Sequence, residues 1–292
     1  MDVTIELIEQ LIEAGLYDNA IKYVERLLQE NDAPALRFLK GYALYMSGRF
    51  NEAIEELTKV IVEDKKNWKA YLLLGEIYYS QNKLEQALNF LNKATILNPK
   101  AEKAWKTRGK IAYQMGDYQT AALCIETYLR LYENDSEYWR LLARCYKTLK
   151  NTNAAIDAYN MAIELDSENI SLYEELGDYY LELGHAEIAK QKYKQALTVR
   201  EITIETNKSL YLKLIKIYLK DKEWLAAFNL CNQILVLEKN DPEALFYSGK
   251  ALIGLGNIKE GKEKIEKAYS INQKEEYAHY LKELDDQLYK RS

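Results

Sequence analysis

Apolar residues recur along this chain with helical spacing, in short segments separated by turns, and small residues mark each pair of segments. Ala20, Ala53, Ala87, Ala121, Ala155, Ala189, Ala227 and Gly261 follow one another at 33, 34, 34, 34, 34, 38 and 34 residues. Gly41, Gly75, Gly109, Gly177 and Gly249 form a second register. Gly15, Gly48, Gly116, Gly184 and Gly256 form a third. The two glycine registers hold ten of the twelve glycines, so position and not composition places them. Glycine inside an apolar helical segment such as Leu74-Gly75-x-x-Tyr78 costs roughly 1 kcal/mol against alanine. That cost is tolerable where another helix crosses too close for a Cβ, and the alanine register supplies the small facing residue. The other glycine register falls between segments, where a left-handed helix cap belongs. Pro34 and Pro242 open units and Pro99 closes one, positions that proline tolerates.

The pattern predicts eight two-helix units: 1–33, 34–67, 68–101, 102–135, 136–169, 170–207, 208–241 and 242–275. The sixth carries four extra residues within 200–207, about one helical turn, and is a candidate hinge between 1–199 and 208–292 or a tolerated insertion. The tail, 276–292, places Tyr277, Leu281, Leu284 and Leu288 on one stripe. It is expected to be a helix capping the last unit's apolar face, with partner binding as the alternative.

These residues resemble the tetratricopeptide repeat, a 34-residue helix–turn–helix with the signature W-x2-L-G-x2-Y … A-x3-F … A … P. The third unit carries Tyr71, Leu74, Gly75, Tyr78, Ala87, Leu91, Ala94 and Pro99; the fourth carries Trp105, Gly109, Gly116, Tyr118, Ala121 and Ile125. The fifth has Trp139, Leu142, Ala143, Tyr146 and Ala155, and the sixth has Tyr173, Leu176, Gly177, Tyr180, Gly184 and Ala189. The first and seventh are degenerate, with Ile8 and Ile215 where glycine is usual. The resemblance implies an all-α, right-handed solenoid of about eight hairpins plus a C-terminal capping helix. Its function would be that of a protein-interaction scaffold or adaptor holding a peptide or helix of another protein in a concave groove. A non-catalytic subunit or targeting arm of a larger enzyme or secretion complex is the alternative.

In the family the first helix of each hairpin lines the concave face. There the second and third units place Phe38, Leu39, Tyr42, Tyr45, Met46, Leu72, Leu73 and Tyr79, an apolar, aromatic wall. The fourth and fifth place Lys103, Lys106, Lys110, Tyr113, Arg140, Arg144 and Lys147, a basic bank. The sixth is acidic, with Glu174, Glu175, Asp178 and Glu182. The seventh and eighth mix Leu212, Lys213, Lys216 and Lys220 with Phe246, Tyr247 and Lys250. An apolar stretch of the partner is expected against Phe38–Tyr79 and an acidic stretch against Lys103–Lys147. The alternative is that the charges are ordinary solvated positions and the aromatics touch the neighbouring hairpin. The chaperone-tail clamp of the family is not expected, because Phe38, Tyr42, Leu73 and Thr107 occupy four of its five positions. The asparagine ladder of the sugar-transferase superhelix is absent too.

Composition narrows the reading further. The chain has 292 residues, 48% hydrophobic and 29% charged, with only 3 prolines, as a packed, helix-rich protein requires. A net charge of −5 disfavours nucleic acid as a partner, leaving only a nucleic-acid accessory role through the basic bank as an alternative. Cys124, Cys145 and Cys231 form no CxxC pair and are expected to be packed, reduced thiols. No uncharged apolar run reaches the ~18 residues of a membrane span, and Met1-Asp2-Val3-Thr4-Ile5-Glu6 does not read as a signal peptide, so a cytoplasmic location is expected. No catalytic group, metal site or cofactor is expected. His185 falls in a turn and His279 in the tail. Gly254-Leu-Gly256-Asn-Ile-Lys-Glu-Gly261 has the wrong spacing for a dinucleotide loop, and Asp285-Asp286 and Glu55-Glu56 read as solvated helix faces.

Overall fold

A computed structural model of the chain describes residues 2–199 and 204–289. Among them are seventeen α-helices and no strand. They run α1 (Asp2–Glu13), α2 (Tyr17–Glu30), α3 (Pro34–Met46), α4 (Phe50–Glu63), α5 (Trp68–Ser80), α6 (Leu84–Leu97), α7 (Glu102–Gln114), α8 (Tyr118–Leu131), α9 (Ser136–Thr148) and α10 (Thr152–Leu165). Then follow α11 (Ile170–Glu182), α12 (Ala186–Thr198), α13 (Ile204–Lys220), α14 (Trp224–Leu237), α15 (Pro242–Gly254), α16 (Ile258–Ile271) and α17 (Glu275–Tyr289). Each odd helix pairs with the even one after it, and neighbouring odd helices touch, α3 with α5 and α5 with α7. The fold is an all-α solenoid of helical repeats. The chain divides into two compact bodies, residues 1–165 and 166–292. No described helix is long and apolar enough to cross a membrane.

Local chemistry starts and stops the helices. Asn67, Asp117, Asp135 and Asp241 each accept a bond from the N–H three residues on, satisfying a donor that the helix leaves open. Pro34 and Pro242 occupy first turns. Every odd-to-even turn from α1 to α16 closes alike, as where Arg49 N–H reaches Leu44 C=O at 2.9 Å, a bond spanning the end of α3. The residue before that donor has positive φ. It is glycine at 15, 48, 116, 184 and 256, and Asn82, Lys150 and Lys222 in the other three turns. Expectation and structure agree on the left-handed cap, including the turns where the sequence offers no glycine.

The buried glycines sit where the helices of a hairpin cross. A Cβ on Gly75 would lie 2.6 Å from Leu91 Cγ and 3.3 Å from the Ala87 carbonyl. At Gly249 it would lie 2.6 Å from the Gly261 carbonyl, so backbone meets backbone there. The facing group is therefore the backbone of the small register together with a large side chain four residues further on. Spacing alone named only the small residue. Ala53, Ala87, Ala121, Ala155, Ala189 and Ala227 are fully buried, as is Ala20.

The four-residue insertion of the sixth repeat lies partly outside the described residues, at 200–203. Beyond it, Asn207 (φ −129°, ψ 23°) breaks α13 into two helical pieces. At the C-terminal end, α17 buries Tyr277 and Leu284 and lays the Tyr277 ring on Phe246 at 4.3 Å.

Candidate binding faces

In the N-terminal body the inner positions of α3 and α5 form a half-buried aromatic wall. Phe38 and Tyr42, one turn apart on α3, stack in parallel with centroids 6.3 Å apart. Tyr45 is committed to its neighbour: its hydroxyl donates to Glu76 on α5 at 3.0 Å. Burial raises the Glu76 carboxyl above its ordinary range, offset only in part by that bond and by the charge of Lys103. Leu72 and Tyr79 rest on the core formed around Ala87, Leu91 and Ile111.

The basic bank on α7 and α9 is not uniform. Lys103 and Lys110 are exposed. Lys106, between them, is held by the fold. Its Nζ lies 2.9 Å from Asp135 and over the rings of Tyr128 and Tyr138, at 5.2 and 4.8 Å. Asp135 also accepts from the Tyr128 hydroxyl at 2.7 Å and caps α9. Burial pushes the Asp135 carboxyl up, but the bonds from Tyr128 and Lys106 outweigh it and hold it below its ordinary range. On α9, Arg140 lies 3.6 Å from Glu137, and Arg144 and Lys147 are half-buried and engaged with partners.

In the C-terminal body Glu174 and Asp178 do not form a bare acidic face. Lys213 reaches both at 2.7 Å, and Asp178 accepts from the Tyr193 hydroxyl at 2.6 Å. Further along, α13, α15 and α17 wall a groove of about 690 Å³. Lys216, Lys220 and Lys250 project into it beside Tyr247, with Trp224 from α14 and Tyr280 from α17. Lys216, Lys220, Tyr247 and Lys250 are inner-face residues in the sequence. Trp224 and Tyr280 are not, because the repeat pattern gives no reason to bring the start of an even helix or the tail to that face.

The cysteines, the histidines and one cluster of carboxylates have the following surroundings. Burial pushes the Cys145 and Cys231 thiols up to about 12 and raises Cys124 as well, which disfavours the thiolate form in all three. His185 sits in the turn before α12, edge-on to Tyr180, and His279 is exposed on α17 with Glu283 3.6 Å away. Glu187, Asp221 and Glu223 converge, but the Lys190 ammonium occupies the point of convergence, 2.7, 3.1 and 2.7 Å from them. A cation already satisfies those carboxylates. The bonds to Glu187 and Glu223 raise the Lys190 pKa despite its burial.

Comparison with known proteins agrees with the geometry. The family described as anaphase-promoting complex, cyclosome, subunit 3 matches residues 13–94. Tetratricopeptide repeat families match 74–145, 136–169 and 170–203. No curated protein sequence matches the chain. Among solved structures, the C-terminal part of a TPR repeat-containing protein from Cytophaga hutchinsonii superposes with a TM-score of 0.67 at 15% identity, covering 83% of this chain and 98% of that one. PilF of Pseudomonas aeruginosa gives 0.54 at 18% identity, over 71% and 95% of the two chains. A crystal structure of MamA gives 0.53 at 22%, over 58% and 96%. At these identities the likeness is one of fold. Small residues at the helix crossings, left-handed caps at the turns and successive family matches from residue 13 to residue 203 lead to one conclusion: the chain is a tetratricopeptide repeat protein.

Proposed function

We propose that the chain is a non-catalytic interaction scaffold that takes a peptide or helical segment of another protein along the inner faces of its odd-numbered helices. The observation that carries this reading is the content of those faces. Phe38, Tyr42, Lys103 and Lys110 in the N-terminal body are at least partly open to solvent. Of these, Lys103 and Lys110 contribute little to the core. Aromatic and cationic groups displayed together suit recognition of a segment that carries both apolar and acidic side chains. A subunit or targeting arm of a larger complex would work by the same contact and differs only in the partner. The buried, unreactive thiols fit a reducing compartment such as the cytoplasm.

The test is affinity capture with mass spectrometry from the native cell, comparing wild type with Lys103→Glu/Lys110→Glu. Lys106 and Arg140 are poorer probes, because both already hold carboxylates of the chain. Partner recovery is expected to fall at least tenfold with helicity unchanged. Equal recovery of every partner would remove the basic bank from the binding face, and recovery of RNA instead of protein would favour the nucleic-acid reading.

A further inference from the structure

We propose that the groove between α13, α15 and α17 is a docking site for an acidic segment of a partner protein, whose carboxylates pair with Lys216, Lys220 and Lys250. This rests on the scaffold reading above and specifies the partner's chemistry at one place.

The first support is a charge left unbalanced. In the C-terminal body, Lys190, Lys208, Lys213, Lys262 and Lys274 each hold at least one carboxylate, and others such as Lys259, Lys267 and Lys282 stand singly on exposed helix faces. Lys216, Lys220 and Lys250 hold none among the described residues, although they line one groove, where Glu276 is the single acidic residue. Two are steadied by aromatic faces instead. Lys216 Nζ lies 5.6 Å from the Tyr247 ring, and Lys250 Nζ lies 5.0 Å from Tyr280 and 5.2 Å from Phe246. A ring orients an ammonium without neutralising it, so the net positive charge stays available to a ligand.

The second support is a wall that departs from the repeat. The last residue of the first helix is Met46, Ser80, Gln114, Thr148, Glu182 and Lys220 in repeats two to seven, and Gly254 in the eighth. Gly254 belongs to neither glycine register. A Cβ there would overlap the Trp224 indole, so the missing side chain lets the indole lie against α15 and form a flat apolar side of the groove. The repeat pattern does not require this glycine; the groove does. Its volume of about 690 Å³ falls in the ordinary range for ligand sites, roughly 300–1,000 Å³.

A protein segment fits better than nucleic acid. Backbone-directed binding of nucleic acid draws on many cations spread over a surface, and this chain carries a net −5. Three lysines beside Trp224, Tyr247 and Tyr280 match alternating acidic and apolar side chains on an extended segment.

The test uses the full chain and fluorescein-labelled decapeptides, N-acetylated and C-amidated so that no terminal carboxylate contributes. In one pool half the positions are glutamate and the rest Leu, Phe, Trp or Gly; in the matched pool lysine replaces glutamate. Fluorescence anisotropy is expected to report salt-sensitive binding of the acidic pool alone. Lys216→Glu/Lys250→Glu should weaken it at least tenfold, with Lys216→Gln/Lys250→Gln as the check should the reversal lower helicity. Gly254→Ala should weaken it as well, by displacing Trp224, whereas Lys93→Glu/Lys259→Glu, exposed on the even-numbered helices α6 and α16, should leave it unchanged. Undiminished binding by the well-folded lysine variants overturns the proposal, as does tighter binding of oligouridylate than of the acidic pool. Failure of the acidic pool to bind wild type removes this groove but leaves the scaffold reading to the capture experiment.

Discussion

At the scale of single residues, three turns keep a left-handed residue without glycine. Asn82, Lys150 and Lys222 have φ of 57°, 59° and 61°. Asparagine tolerates that region; lysine does so at a cost of roughly 1–2 kcal/mol. Lys150→Gly is expected to stabilise the chain by about 0.5–1 kcal/mol, the gain being reduced by glycine's greater freedom when unfolded. Urea denaturation followed by circular dichroism checks it. Glu76 offers a second measurement. Its folded carboxyl titrates above the ordinary value of 4.5, so the folded chain holds that proton more tightly than the unfolded one. The corresponding stability is complete below about pH 4.5 and is lost as the pH rises through the folded value. Glu76→Gln, which can still accept from Tyr45, is expected to remove that loss. The difference in unfolding midpoint between wild type and variant should therefore widen from pH 4 to pH 7. The glycine positions were legible because backbone geometry leaves so few residue types for a left-handed cap or a close crossing. The fate of Lys106 was not: its partner Asp135 is 29 residues away, and only the folded register of two hairpins brings them together.

At the scale of helices, Asp135 joins three of them. Its carboxylate takes Lys106 of α7 and Tyr128 of α8 and caps α9. Asp135→Ala should cost about 2–3 kcal/mol, a lost cap together with a half-buried cation and a hydroxyl left without their acceptor. Thermal unfolding should show it, and Asp135→Asn, which can still cap and accept, should recover part of the loss. Helical spacing and caps made the helices readable throughout. Two features were hidden for physical reasons. The break at Asn207 lies within the 200–207 insertion that the repeat spacing marks, but neither proline nor glycine announces its exact residue. The groove of α13, α15 and α17 depends on Trp224 and Tyr280, whose side chains reach across from elements that the repeat pattern assigns to other roles. Lys216, Lys220, Tyr247 and Lys250 were legible as inner-face positions, and Gly254, outside both glycine registers, is a further sequence mark of that groove.

At the scale of the molecule, a solenoid joins each hairpin mainly to its neighbours: an odd helix such as α3 or α15 packs on the even helices before and after it, and odd helices such as α3 and α5 or α13 and α15 touch each other directly. In the scaffold reading proposed above, specificity rests with a few side chains on the odd helices. It is tested most directly by placing a photo-crosslinking amino acid at single positions and irradiating living cells. The inner-face positions are Tyr42, Lys110 and Lys250. The controls are Glu55, Lys93 and Glu263, exposed on even-numbered helices. The account predicts a discrete crosslinked protein partner from inner positions and little or none from the controls. Crosslinks confined to the even helices, with inner positions silent, would contradict it.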